Sequence, residues 1–179
     1  MKNGRFRDSL QVLSEGKKKG IRPDVISYST VIARSPDMQT AEKLLAEMRR
    51  EGVSPNVFTF STLIDRSSDL QTAEKWLAEM RHEGVKPDDV TFNTLIAKSP
   101  DLASAEKWLA EMRHEGVKPN VFTFSTLIAK SPDSATAERW LAEMHRYGVK
   151  PDDVTISTLA SKWPHLAATE LRRGDKAVS

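Results

Sequence analysis

The chain repeats itself every 32 residues, and that period constrains its fold more tightly than any local pattern does. Pro23, Pro55, Pro87, Pro119 and Pro151 keep the step without a slip. So do Gly20, Gly52, Gly84, Gly116 and Gly148, and Met48, Met80, Met112 and Met144. A fixed period of about 20–50 residues marks a solenoid, in which each unit buries its apolar side only against its neighbours. Such an array is mostly surface, so a hydrophobic share of 39% suffices where a globular domain would need more.

The period divides the chain. Residues 1–24 match the second half of the unit and read as an N-terminal half-repeat helix. Four full copies follow at 25–56, 57–88, 89–120 and 121–152, then a truncated fifth at 153–174 and a tail at 175–179 expected to fray.

Each unit reads as two helices, which makes the fold class all-α. In the third copy the first helix covers 90–98, with Val90, Leu95 and Ile96 apolar. The Asn or Asp after each proline (Asp24, Asn56, Asp88, Asn120, Asp152) is placed to cap it. Ser99-Pro100-Asp101 ends that helix and starts the next, with Ser99 expected as the cap and Pro100 in the first helical position. Leu102, Ala105, Leu109 and Met112 then form one apolar stripe, Gly116 supplies a left-handed end, and Pro119 prevents continuation. Neither helix is long enough to be stable alone in water, so stacking must hold them.

The sequence also excludes several functions. No apolar run approaches the roughly 18 residues of a membrane span, so no membrane partner is expected. The start, residues 1–7, lacks the apolar stretch of a secretory signal and is too short for a transit peptide. Cysteine is absent, which removes thiol catalysis and thiolate metal sites and fits a reducing intracellular compartment. No Gly-rich phosphate loop, nucleophile elbow or metal-ligand spacing is present, so neither an enzyme nor a cofactor nor a metal site is expected. A net charge of +2 permits a nucleic-acid partner without arguing for one.

The unit has a family look. Val-Thr-Phe-Asn-Thr-Leu-Ile at 90–96, Ala-Glu-Lys-Trp-Leu-Ala-Glu-Met at 105–112 and Glu-Gly-Val-Lys-Pro-Asn at 115–120 together resemble the pentatricopeptide repeat. The resemblance covers residues 25–162 and implies paired helices stacked into a right-handed superhelical solenoid. It also implies binding of single-stranded RNA, about one nucleotide per repeat, and a family that is mostly organellar. The unit is three residues shorter than the family's, with the loss between Ile96 and Leu102, about one turn of the first helix.

The resemblance places base selection on the fifth residue and the last residue of each repeat. These are Ser29 with Asn56, Ser61 with Asp88, Asn93 with Asn120, and Ser125 with Asp152. The chemistry is coherent. Guanine and uracil offer a ring N–H that a carboxylate accepts, and adenine and cytosine offer a bare ring nitrogen to which an Asn amide donates. With Ser as the family's purine choice and Asn its pyrimidine choice, the implied RNA is A-G-(C or U)-G. The competing reading makes the end residues plain helix caps, and the two roles are compatible.

Two further columns recur. The resemblance wedges Ile26, Phe58, Val90, Phe122 and Val154 between bases; the alternative is packing between repeats. Tyr28, Phe60, Phe92 and Phe124, two residues on, are expected in the core. Arg34, Arg66, Lys98, Lys130 and Lys162 stand near the end of each first helix. They either complement a helix C-terminus or line one edge to meet phosphates. Trp76, Trp108 and Trp140 are read as core, and His82 and His114 as solvated surface. Arg173-Gly174-Asp175 is a chance triplet. A protein-interaction scaffold taking a peptide or helix in its groove is the rival to RNA binding, and the truncated fifth repeat leaves end-to-end self-association open.

Overall fold

The computed structural model describes residues 2–176, and among them all regular structure is helical. After α1 (Lys2–Lys18), short and long helices alternate. The short ones are α2 (Val25–Arg34), α4 (Val57–Arg66), α6 (Asp89–Lys98), α8 (Val121–Lys130) and α10 (Asp153–Lys162). The long ones are α3 (Met38–Arg50), α5 (Leu70–His82), α7 (Leu102–His114), α9 (Ser134–Arg146) and α11 (Pro164–Lys176). Each short helix has 10 residues and each long one after α1 has 13. Helix α11 runs through two of the residues expected to fray; 177–179 lie outside the described residues.

The chain forms two compact units, residues 1–94 and 95–179, with the division inside α6. In the first, α1 packs on α2, α2 on α3 and α4, and α4 on α5. In the second, α7 packs on α8, α8 on α9 and α10, and α10 on α11. Successive first helices therefore lie side by side within a unit, and each is backed by its own second helix.

Local chemistry explains where each helix stops and starts. The carboxyl or amide of Asp24, Asn56, Asn120 and Asp152 accepts the backbone N–H three residues on, as the sequence pattern predicts. At the second junction the expectation needs correcting. The N-cap is Asp101, accepting from Ser104 N, with Asp37, Asp69 and Asp133 in the same role. Ser99 is buried and closes the preceding helix, its hydroxyl donating to Leu95 O at 2.9 Å. Pro100 therefore precedes the cap and is outside the helix. A carboxylate brings full negative charge to the exposed N–H groups of a helix start, which a hydroxyl does not. At the other end Gly52 takes φ +74°, Gly52 N–H donates to Arg49 O and Val53 N–H to Met48 O. This Schellman closure recurs at Gly84, Gly116 and Gly148.

The core follows the same period. Tyr28, Phe60, Phe92 and Phe124 are fully buried, as are Met48, Met80, Met112 and Met144. Trp140 is buried, whereas Trp76 and Trp108 are only half-buried. Among the described residues no helix is long and apolar enough to cross a membrane, and no cluster of His, Asp and Glu is arranged to hold a metal ion.

Candidate nucleic-acid interface

The proposed base-reading residues of a repeat meet at a third side chain that the sequence reading missed. Ser29 lies in α2 and Asn56 caps α4; both bond to the hydroxyl of Thr59, at 2.6 Å from Ser29 Oγ and 3.0 Å from Asn56 Oδ1. Ser61 and Asp88 meet in the same way at Thr91, at 2.9 and 2.8 Å. In the second unit Ser125 and Asp152 meet at Thr155, each at 2.6 Å. Asn120 bonds Thr123 through both backbone N–H and hydroxyl, at 3.2 and 3.3 Å. These threonines are fully buried. The signal was present: a Thr stands three residues after every end residue from Asn56 onward, the slot whose side chain answers an N-cap.

The cap uses only part of the side chain at Asn56 and at Asp88. Thr59 N–H must find an acceptor, so the atom of Asn56 that faces it is the carbonyl oxygen, at 3.0 Å. That leaves Asn56 Nδ2 turned away with no partner among the described residues. Asp88 likewise commits Oδ1 to Thr91 N–H at 2.9 Å and leaves Oδ2 unpartnered. Asn56 and Asp88 are half-buried and Asp152 is exposed. The hydroxyl and backbone N–H of Thr155 hold the Asp152 carboxyl below the usual carboxylate range, and Ser27 does the same for Asp24. Ser29, Ser61 and Asn93 are buried and Ser125 half-buried, so little of each is open to a ligand.

The second-position side chains are not packed between repeats. Ile26, Phe58, Val90, Phe122 and Val154 are all 53–70% exposed. In the first unit Ile26 and Phe58 begin neighbouring first helices, and in the second Phe122 and Val154 do.

Three cations of the column end on backbone carbonyls of the preceding repeat. Arg66 reaches back to the preceding first helix, donating to Ala33 O at 3.2 Å and Ser35 O at 2.7 Å. Lys130 donates to Ser99 O at 2.6 Å, and Lys162 donates to Ala129 O. These cations complement the C-terminus of the neighbouring repeat's helix rather than their own. Arg34, at the first repeat, bonds Ser9 of α1 instead and is exposed. Lys98 is half-buried.

A second ladder joins the long helices. Lys17 bridges Glu47 and Glu51, Arg49 bridges Glu79 and Glu83, and Arg113 bridges Glu143. The two carboxylates and the Tyr28 hydroxyl around Lys17 push its pKa above the usual lysine value against the opposing effect of burial. His82 and His114 are exposed.

The pentatricopeptide repeat domain matches residues 11–69, 44–99 and 77–131, about two thirds of the chain. The chain belongs to the pentatricopeptide repeat family. Among solved structures, the pentatricopeptide repeat protein PPR10 in complex with an 18-nt psaJ RNA element is 31% identical, with a TM-score of 0.73. The match covers 95% of this pentatricopeptide repeat chain and 26% of that one, so the chain spans about a quarter of that relative's length. PPR10 from maize is 25% identical, with a TM-score of 0.69 over 98% of this chain and 28% of that one. The PPR domain of Arabidopsis thaliana protein-only RNase P 1, in complex with tRNA, shares the fold. It matches at 17% identity and a TM-score of 0.69, over 89% of this chain and 91% of that one. No curated protein sequence matches significantly.

Proposed function

We propose that this chain binds single-stranded RNA and reads about one base per repeat, through Ser29 with Asn56, Ser61 with Asp88, Asn93 with Asn120, and Ser125 with Asp152. The observation that carries the reading is the divided use of Asn56 and Asp88. Asn56 caps with its oxygen and offers an N–H donor; Asp88 caps with one oxygen and offers the other as an acceptor. A donor suits the bare ring nitrogen of adenine or cytosine, and an acceptor suits the ring N–H of guanine or uracil. Combined with the family's Ser and Asn preferences, the order is A-G-(C or U)-G.

The exposed side chains of Ile26, Phe58, Val90, Phe122 and Val154 supply faces against which bases stack. Arg34, Arg66, Lys98, Lys130 and Lys162 supply charge for the phosphates. An ammonium such as Lys130, with one N–H on Ser99 O, keeps two more for a ligand. The RNA-bound PPR10 structure, at 31% identity, supports the same class of ligand. Four bases and a net charge of +2 make for weak binding, micromolar or poorer, that falls with salt.

The test is a titration of labelled A-G-C-G oligonucleotide against a scrambled control at low salt, with wild-type protein and Asp88→Asn. The expected result is preferential binding of A-G-C-G and a shift at the second base from G toward A in the variant. Equal affinity for both oligonucleotides overturns the base-reading roles, and no binding to either overturns RNA as the ligand.

A further inference from the structure

Resting on that reading, we infer that Thr59, Thr91 and Thr155 are positioning residues that couple the two base-reading side chains of a repeat, so that the capping oxygen of the end residue, through the threonine, fixes the serine as a hydrogen-bond acceptor.

The argument is a count of protons. A hydroxyl has one hydrogen to donate, and an ionised carboxylate has none. Thr91 Oγ1 lies 2.8 Å from Asp88 Oδ1, so that contact carries the Thr91 hydrogen. The 2.9 Å contact between Ser61 Oγ and Thr91 Oγ1 must then carry the hydrogen of Ser61. Protons point one way along the line, Ser61 to Thr91 to Asp88, and Ser61 meets a base with lone pairs only. The repeat ending in Asp152 obeys the same rule, because Thr155 donates to the carboxylate at 2.6 Å. The Ser125 hydrogen is divided between Thr155 Oγ1 at 2.6 Å and Val121 O at 2.7 Å. Neither serine has a hydrogen left for a ligand.

Asn56 obeys the same rule through a weaker acceptor. Its amide oxygen carries no hydrogen, and it takes Thr59 N–H and the Thr59 hydroxyl, each at 3.0 Å. The 2.6 Å contact between Ser29 Oγ and Thr59 Oγ1 must then carry the hydrogen of Ser29. The serine is held as an acceptor in every one of these repeats, most firmly where the end residue is a carboxylate. The two reading positions are not independent.

The experiment has an RNA arm and an RNA-free arm, on the full chain. In the first, Thr91→Val, which keeps the shape and loses the hydroxyl, is compared with Thr91→Ser, which keeps the hydroxyl. Oligonucleotides differing only at the second base serve as ligands, and thermal melting establishes that each variant is folded. Thr91→Val is expected to reduce the G-over-A ratio by ~10-fold, the effect of one hydrogen bond to a charged group, with Thr91→Ser restoring it. An unchanged ratio in Thr91→Val, where wild type discriminates, overturns the coupling. In the second arm the Asp152 carboxyl is titrated by NMR without RNA. Thr155→Val is expected to raise its pKa, and Ser125→Ala, which touches no atom of Asp152, to raise it by less. No movement in Ser125→Ala overturns the directed relay even if the chain binds no RNA. Absence of RNA binding by wild type overturns the functional reading alone.

Discussion

Phe58 and Phe60 stand two residues apart on α4, and one is 54% exposed while the other is 0%. Two positions on a helix are about 200° apart, so one side chain faces solvent and the other the second-helix layer. Phe60→Ala is expected to cost about 3–5 kcal/mol in chemical denaturation, because it opens a cavity in a closed core. Phe58→Ala should alter stability by no more than ~0.5 kcal/mol yet weaken oligonucleotide binding by about 1–3 kcal/mol. Equal loss of stability in both variants would contradict the exposed placement. Unchanged binding in Phe58→Ala would remove the stacking role.

Arg66 separates a structural cation from a phosphate-binding one. Its guanidinium holds the carbonyls that end α2, so Arg66→Ala should cost about 1–3 kcal/mol of stability. If it also meets a phosphate, the slope of log affinity against log salt should shrink by about 0.7, the single-strand value for one contact. A stability loss with an unchanged slope would leave the column as a staple between repeats and nothing more.

The limits of the sequence lie in what depends on stacking. The period was legible because the sequence can be laid over itself, and the Asn and Asp caps and the left-handed glycines because each depends on residues within about six positions. The relay at Thr59 was not, because Ser29 is 30 residues away in the chain and arrives only when α2 and α4 lie side by side. Arg66 was half-legible: its place near a helix end suggested dipole complementarity, and only packing reveals that the helix belongs to the previous repeat. Ser99-Pro100-Asp101 was misread for another reason. Each of the three residues is a common helix starter, and the choice falls to whichever oxygen reaches the N–H of Ser104.

Acid should loosen the array through its second-helix caps. Backbone N–H bonds from Thr40, Thr72, Ser104 and Thr136 hold the carboxyls of Asp37, Asp69, Asp101 and Asp133 below their ordinary value. A carboxyl with a lowered folded-state pKa contributes stability that is whole above the unfolded pKa, about 3.9, and is lost as pH falls through the folded value. Urea midpoints measured from pH 6 downward should therefore hold until about pH 4 and then decline. Asp101→Asn keeps the capping oxygen and should flatten part of that decline while leaving the neutral-pH midpoint nearly unchanged. A decline just as steep in the variant would place the acid sensitivity elsewhere.

Tyr147 breaks the ladder of the long helices in an instructive way. Glu51, Glu83 and Glu115 occupy its position in the preceding repeats, and the first two of these pair with Lys17 and Arg49. Arg113 keeps its ion pair with Glu143 at 2.6 Å but lies over the Tyr147 ring, 5.3 Å from its centre. That ring also packs at 5.5 Å against buried Phe124. A cation over an aromatic face depends less on the surrounding salt than a half-exposed ion pair does. Tyr147→Glu should lose the ring contact, about 0.5–1.5 kcal/mol, and regain up to ~1 kcal/mol from a second carboxylate on Arg113 at low salt. Its melting temperature should thus approach wild type in dilute buffer and fall away from it as salt rises. Tyr147→Leu, which keeps apolar packing and offers no charge, should instead show a deficit that salt does not change. Parallel salt responses in the two variants would mean that Arg113 gains nothing from the glutamate, and that the ring contact with Phe124 alone fixes the residue's contribution.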